Sequence, residues 1–175
     1  MQRGTELEPE ARAYYELIAG PVQEIGFCIH DDGFGCSPDG VVGDGLLEIK
    51  CSLAHTHVEY LREGVIPSIY IPQVQGQMLV MDKQWCDFLS YHPDMKPLLV
   101  RVNRDDMYCA LLHEALKELV ENIRINVEAS KCDWLSAELG HSLSTPISNR
   151  ARSQLRKIAS IPPSLQILSC SALKG

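Results

Sequence analysis

The sequence predicts an α+β domain, and three observations predict it. Segments of helical periodicity stand near both ends of the first 130 residues, at 5–20 and 105–129. Between 24 and 51, three short apolar runs are separated by glycine-containing turns. Between 84 and 104, two further runs alternate apolar and polar residues around the turn "HPDMKP".

Taken in order, "TELEPEARAYYELIAG" reads as the first helix. Leu7, Ala11, Tyr14 or Tyr15, and Ile18 recur at helical spacing, Thr5 can cap it, and Gly20-Pro21 ends it. "EIGFCIH" reads as a strand, "DDGFG" as a turn, "CSPDGVV" as a second strand, "GDG" as a tight turn and "LLEIKC" as a third strand, together a β-meander. "HTHVEYLREG" predicts a short helix closed by Gly64. In "PSIYIPQVQGQMLVM", Pro72 fits a helical first turn. Ile69, Gln73, Gln77 and Val80 share one face of that helix, and Val74, Met78 and Met81 another. "QWCDFLSYH" and "PLLVRVNR" are two more strands. The last helix carries an apolar stripe of Leu112, Ala115, Leu116, Leu119, Val120 and Ile123.

The 175 residues suit one domain with a sizeable core, and 45% apolar with 22% charged residues is a globular composition. The net charge of −7 is unevenly spread. Residues 1–130 carry 10 Lys and Arg against 21 Asp and Glu, while residues 131–175 carry 6 against 2. That acidic balance argues against a general nucleic-acid coat. Residues 131–175 are Ser-rich, basic and weakly periodic, and are read as a tail; Arg150, Arg152, Arg156 and Lys157 are read as a solvated basic stretch. No basic-then-apolar leader opens the sequence, so secretion is not expected. The seven cysteines are irregularly spaced with no CxxC, which predicts reduced thiols and no zinc or iron–sulfur site.

The chemistry concentrates in "CSPDGVVGDGLLEIKC". Residues i and i+2 of a strand share a face, so Glu48 and Lys50 point one way while Leu47, Ile49 and Cys51 point the other. A short hairpin brings Asp39 beside Glu48. Two close carboxylates repel, and a divalent cation such as Mg2+, which takes oxygen ligands, relieves the repulsion. The backbone carbonyl of Ile49 can add a ligand. Lys50 can orient or help deprotonate a water, or neutralise charge on an attacked phosphate, which together is apparatus for metal-assisted phosphodiester hydrolysis. Spacing alone equally admits a surface salt bridge of Glu48 with Lys50 or Asp39.

"EPEARAYYE", "IHDD", "CSPDG", "GLLEIKC", "YIPQVQGQM" and "WCDFLSYHPDM" occur in an order that resembles the lambda-exonuclease and YqaJ-type viral recombinase family of the PD-(D/E)xK nuclease superfamily, over roughly residues 4–129. The resemblance implies a restriction-endonuclease-like core, an α/β sandwich whose mixed central sheet is flanked by helices. It implies that Asp39 and Glu48 bind catalytic Mg2+, with Asp39 bridging two ions and Mn2+ as a substitute. Lys50 would position or activate the attacking water, and Gln73 would support the site or the scissile phosphate. Asp31 would be a further acidic ligand, with Asp32 as its substitute, and Glu8 a helix glutamate facing the site. The implied activity is a 5′-to-3′ exonuclease on double-stranded DNA ends, working with a single-strand annealing protein, as a ring-shaped homotrimer, in the cytoplasm of the host cell. An endonuclease or repair nuclease on the same core, or an inactive truncated DNA- or protein-binding remnant, are the alternatives.

The resemblance also implies family sequence before the first helix, so the nuclease domain, residues 1–130, is read as lacking the family's N-terminal part. Other residues carry plainer expectations. Asp44 is read as a turn residue, Glu59 and Glu63 as a solvated helix face, and Gln75 as solvent-facing. His30, His55 and His57 are read as non-ligands and His113 as a surface residue. Cys51, Trp85 and Tyr91 are read as packing residues.

Overall fold

A computed structural model describes residues 2–139, with side chains from 6 to 130. The basic stretch around Arg150–Lys157 lies outside the described residues. The chain divides into two compact units, Met1–His30 with Gly35–Cys109, and Asp31–Phe34 with Ala110–Gly175.

The first unit is a sandwich. In chain order it holds α1 (Gln2–Ala19), β1 (Cys28–Ile29), β2 (Gly35–Cys36), β3 (Gly40–Val42), β4 (Gly45–Lys50), α2 (Ala54–Glu63), a 3-10 turn (Ser68–Tyr70), α3 (Ile71–Met81), β5 (Trp85–Ser90) and β6 (Leu98–Asn103). The sheet order is β3-β4-β5-β6, antiparallel except for the central β4–β5 pair, which is parallel. A parallel pair needs a crossover, and the segment carrying α2 and α3 supplies it.

Strand β4 is buried on both faces, which is why it reads as a nearly unbroken apolar run. Its Leu47 and Ile49, with Leu89 and Tyr91, pack under Ala11 and Tyr15 of α1. Its Leu46 and, from β5, Cys86 pack under Val74 and Met78 of α3. Glu48 and Lys50 share the α3 face with Leu46.

Three expectations are corrected. The predicted meander is two sheets: β1 and β2 pair only with each other, and "CSPDGVV" is broken at Ser37-Pro38-Asp39. Proline has no N–H to give a ladder, so the chain leaves the sheet there. Helix α1 begins at Gln2, so Thr5 is not its cap and Pro9 lies inside it. Ile18 is 51% exposed, because Ala11 and Tyr15 carry the buried face.

Gly45 sits against Trp85. A Cβ on Gly45 would lie 2.2–2.3 Å from three ring atoms of Trp85, whose ring also carries the Arg101 guanidinium 3.6 Å from its centre. Gly45→Ala is therefore expected to cost about 1–3 kcal/mol, read as a lower thermal unfolding midpoint. Gly64 closes α2 at φ +68, its N–H bonding the Tyr60 carbonyl, as expected of a glycine in the left-handed region.

The last helix, α4 (Asp106–Leu139), starts in the first unit and continues through the second. Of its predicted stripe, Ala115 is buried, while Leu119 and Ile123 are exposed. No helix among the described residues is long and apolar enough to cross a membrane.

Candidate active site

Glu48 is the centre. It is a carboxylate inside a sheet, 1% exposed. Leaving such a charge unpaired would be costly, and three donors meet it. Lys50 Nζ and Gln73 Nε2 donate to Oε1, the latter at 2.7 Å, and Gln77 Nε2 donates to Oε2 at 2.7 Å. The Glu48–Lys50 pair is thus not the surface salt bridge that spacing alone admitted. Lys50 Nζ also lies over the Tyr70 ring, 5.1 Å from its centre, and Tyr70 shares a hydroxyl contact with Tyr60 at 3.3 Å.

Asp39 enters from the turn before β3. The register pairs Gly40 with Leu47, so Asp39 falls beside Glu48, as the hairpin reading predicts. Its Oδ2 accepts the N–H of Ile49 at 2.6 Å. Burial, then the charge of Glu48, pushes its carboxyl up from 3.8 to about 6, against the pull of that N–H.

The raised value has a stability consequence. Without metal, folding favours the protonated Asp39, so the chain loses stability as pH rises from 3.8 to about 6 and carries the full penalty above that window. Asn at this position keeps an acceptor for Ile49 N–H and has no charge. In EDTA, Asp39→Asn should therefore melt higher than the parent at pH 8, with the gain vanishing below about pH 4.

Glu8 is tied in through a residue the sequence reading passed over. Arg12 donates to Glu8 Oε1 at 2.9 Å and to the backbone carbonyl of Asp39. The i,i+4 spacing of Glu8 and Arg12 was the available signal. Gln77 and Tyr70 were also missed. Gln77 had been read only as sharing a face with Gln73, and that i,i+4 spacing is what lets both amides reach one carboxylate.

The structure brings Glu8, Asp39, Glu48, Lys50 and Gln73 to one place. Gln75 is elsewhere: it is buried, donating to the Asn103 carbonyl at 2.9 Å and accepting Asp105 N–H at 3.0 Å. It fastens the end of β6 to the start of α4. Asp31 and Asp32 fall in the second unit, where they line a groove with Glu114, Lys117, Glu121 and Arg124 of α4. Asp32 Oδ2 accepts from His113 Nε2 at 2.5 Å, and Phe34 packs edge-on to His113, so His113 is half-buried and not merely a surface residue.

The packing and turn expectations hold locally. His57 is a buried helix residue whose Nε2 donates to the Lys96 carbonyl at 2.9 Å, leaving Nδ1 to accept from Ser90 at 2.7 Å. Both nitrogens are used in fixing the turn before β6. Trp85 packs over Gly45, Tyr91 is buried with its hydroxyl on Glu10 at 2.7 Å, and Cys51 packs beside the α1 core. Asp44 is exposed in the β3–β4 turn.

Comparisons with known proteins give the family. Residues 1–84 match the model of the YqaJ-like viral recombinase domain. The alkaline exonuclease LHK-Exo from Laribacter hongkongensis is similar in its solved structure at 42% identity and a TM-score of 0.69. LHK-Exo in complex with dAMP is similar at 40% identity and a TM-score of 0.73. Both matches cover 80% of this chain and 75% of LHK-Exo. A search of curated proteins finds no match. An identity of 40% over that coverage, on a mixed sheet flanked by helices, is more than a shared fold. The chain belongs to the family of YqaJ-like viral recombinases and lambda-exonuclease-like alkaline exonucleases, which makes it a nuclease with a restriction-endonuclease-like core.

Proposed function

We propose that this chain is a Mg2+-dependent deoxyribonuclease that removes mononucleotides from the 5′ ends of duplex DNA in phage-type recombination. The observation that carries the reading is the carboxylate pair: Glu48 inside the sheet, and Asp39 beside it with its carboxyl pushed up to about 6. Two acids forced together are a strain that a divalent cation relieves. The oxygen-only donor set, Asp39, Glu48 and the Ile49 carbonyl, would hold Mg2+, with Mn2+ as a substitute.

Bound there, Mg2+ would polarise the phosphoryl oxygens and lower the pKa of the attacking water. The chain's own groups do the rest. Lys50, held between Glu48 and the Tyr70 ring, orients the water or offsets charge on the phosphate. Gln73 holds Glu48 from α3, and Arg12 holds the Asp39 backbone from α1. Water adds to phosphorus, the bond to O3′ breaks, the departing O3′ takes up a proton, and a 5′-mononucleotide leaves. The complex of LHK-Exo with dAMP, a deoxynucleoside monophosphate, supports that product class here.

Family membership further supports action on duplex ends beside a single-strand annealing protein, as a homotrimer in the host cytoplasm. A ring with a basic channel would let an acidic chain grip DNA.

The test is digestion of linear duplex DNA bearing a 5′ phosphate, beside a covalently closed circle, with Mg2+. Mononucleotides from the linear substrate alone are expected. Nicking of the circle would move the reading to an endonuclease, and no cleavage by folded chain to an inactive remnant.

A further inference from the structure

The donors around Glu48 are unequally shared. Oε1 accepts from both Lys50 Nζ and Gln73 Nε2, while Oε2 accepts from Gln77 Nε2 alone. Each carboxylate oxygen has about two lone-pair sites, so Oε1 is filled and Oε2 keeps one open. We propose that Gln77 is a positioning residue that turns the Glu48 carboxylate so that Oε2 presents its one open lone pair to Mg2+. The inference rests on the reading of Glu48 as a metal ligand.

A second observation sets Gln77 apart from ordinary packing. It is 2% exposed, and its Oε1 is buried with no hydrogen-bond partner among the described residues. A buried acceptor left unmade destabilises the fold. Its helix neighbours Val74 and Met78 sit in an apolar cluster, where leucine would fill a similar volume without that penalty. Packing against Val74 and Met78 therefore does not account for an amide here, whereas its hydrogen bond to buried Glu48 does. Helix α3 is anchored by Val74 and Met78, which leaves the amide little freedom to follow a shifting carboxylate. A ligand held by such a partner is pre-oriented, and loss of the partner shows as weaker metal binding.

The experiment is calorimetric titration with Mg2+ of the full chain, of Gln77→Leu and Gln77→Asn, and of Glu48→Gln as control, with metal-free melting curves for each. Gln77→Leu should weaken Mg2+ affinity by about tenfold, and its metal-free melting temperature should fall as well, because buried Glu48 Oε2 loses its donor. Gln77→Asn, whose amide stops one methylene short, should weaken it similarly, and decides the question if Gln77→Leu does not fold. Raising Mg2+ should restore kcat in both, with KM for DNA unchanged. A merely structural Gln77 would lower the melting temperature and leave the affinity alone. Parent-like affinity in a folded Gln77 variant, with binding lost in Glu48→Gln, overturns this inference and leaves the metal site standing. Parent-like affinity in Glu48→Gln as well means that the metal reading itself has failed, and this inference with it.

Discussion

Lys50→Ala should lower cleavage of linear duplex DNA by about 10²–10⁴-fold, the range for losing a positioned group that handles the attacking water. The loss should appear in kcat. Lys50 is a quarter exposed at its side chain, so its ammonium can reach a substrate while it still touches buried Glu48. Taking the positive charge away leaves Glu48 and Asp39 facing each other with less compensation. The metal-free variant should therefore melt lower than the parent, and Mg2+ should bind at least as tightly, because the ammonium no longer competes for Glu48. Calorimetry and single-turnover cleavage on the same preparation separate the two effects. A variant that loses metal binding and cleavage together would show Lys50 to be part of the metal's support and not of the water's.

The largest stability effect should come from the opposite face of the sheet. Asp87, 3% exposed, accepts the hydroxyl of fully buried Tyr15 at 2.6 Å and two bonds from Arg101 at 2.8 and 2.9 Å. Asp87→Ala strands the Tyr15 phenol and frees an arginine that is already half in solvent. The expected cost is about 2–4 kcal/mol, read as a shift in the urea midpoint without a change of slope. Asp87→Asn, which keeps one acceptor, should cost less.

The same network gives a pH signature. Burial first, then the hydrogen bond to Asp87, pushes the Tyr15 phenol above its ordinary 10. A group raised on folding contributes stability that is full below the unfolded value and lost as pH climbs past it. The unfolding free energy should thus decline above about pH 10, and Tyr15→Phe should flatten that decline.

How much of this was legible in the sequence depends on the range of each interaction. Helices and strands of local pattern were readable, as were the "GDG" turn and the shared face of Glu48 and Lys50, because period and turn chemistry are local. Asp39 beside Glu48 was readable because a two-residue turn leaves little choice of register. The break at Ser37-Pro38 carried its own signal in the proline, which the run of strand-like neighbours outweighed. Arg12, Tyr70 and Gln77 were not legible as site residues. Each acts on a residue 20 or more positions away, and only the packing of α1 and α3 on opposite faces brings them in. Gln75 shows the limit of motif reading: within "QVQ" it looks like a twin of Gln73, yet a rotation of about 200° around the helix sends it to another junction.

The most direct test of the central claim is to locate the metal. Crystals soaked in Mn2+ and measured at its absorption edge should give an anomalous peak in contact with the carboxylates of Asp39 and Glu48, absent from Glu48→Gln crystals. Bound Mn2+ elsewhere, with no peak at those carboxylates, would contradict the account.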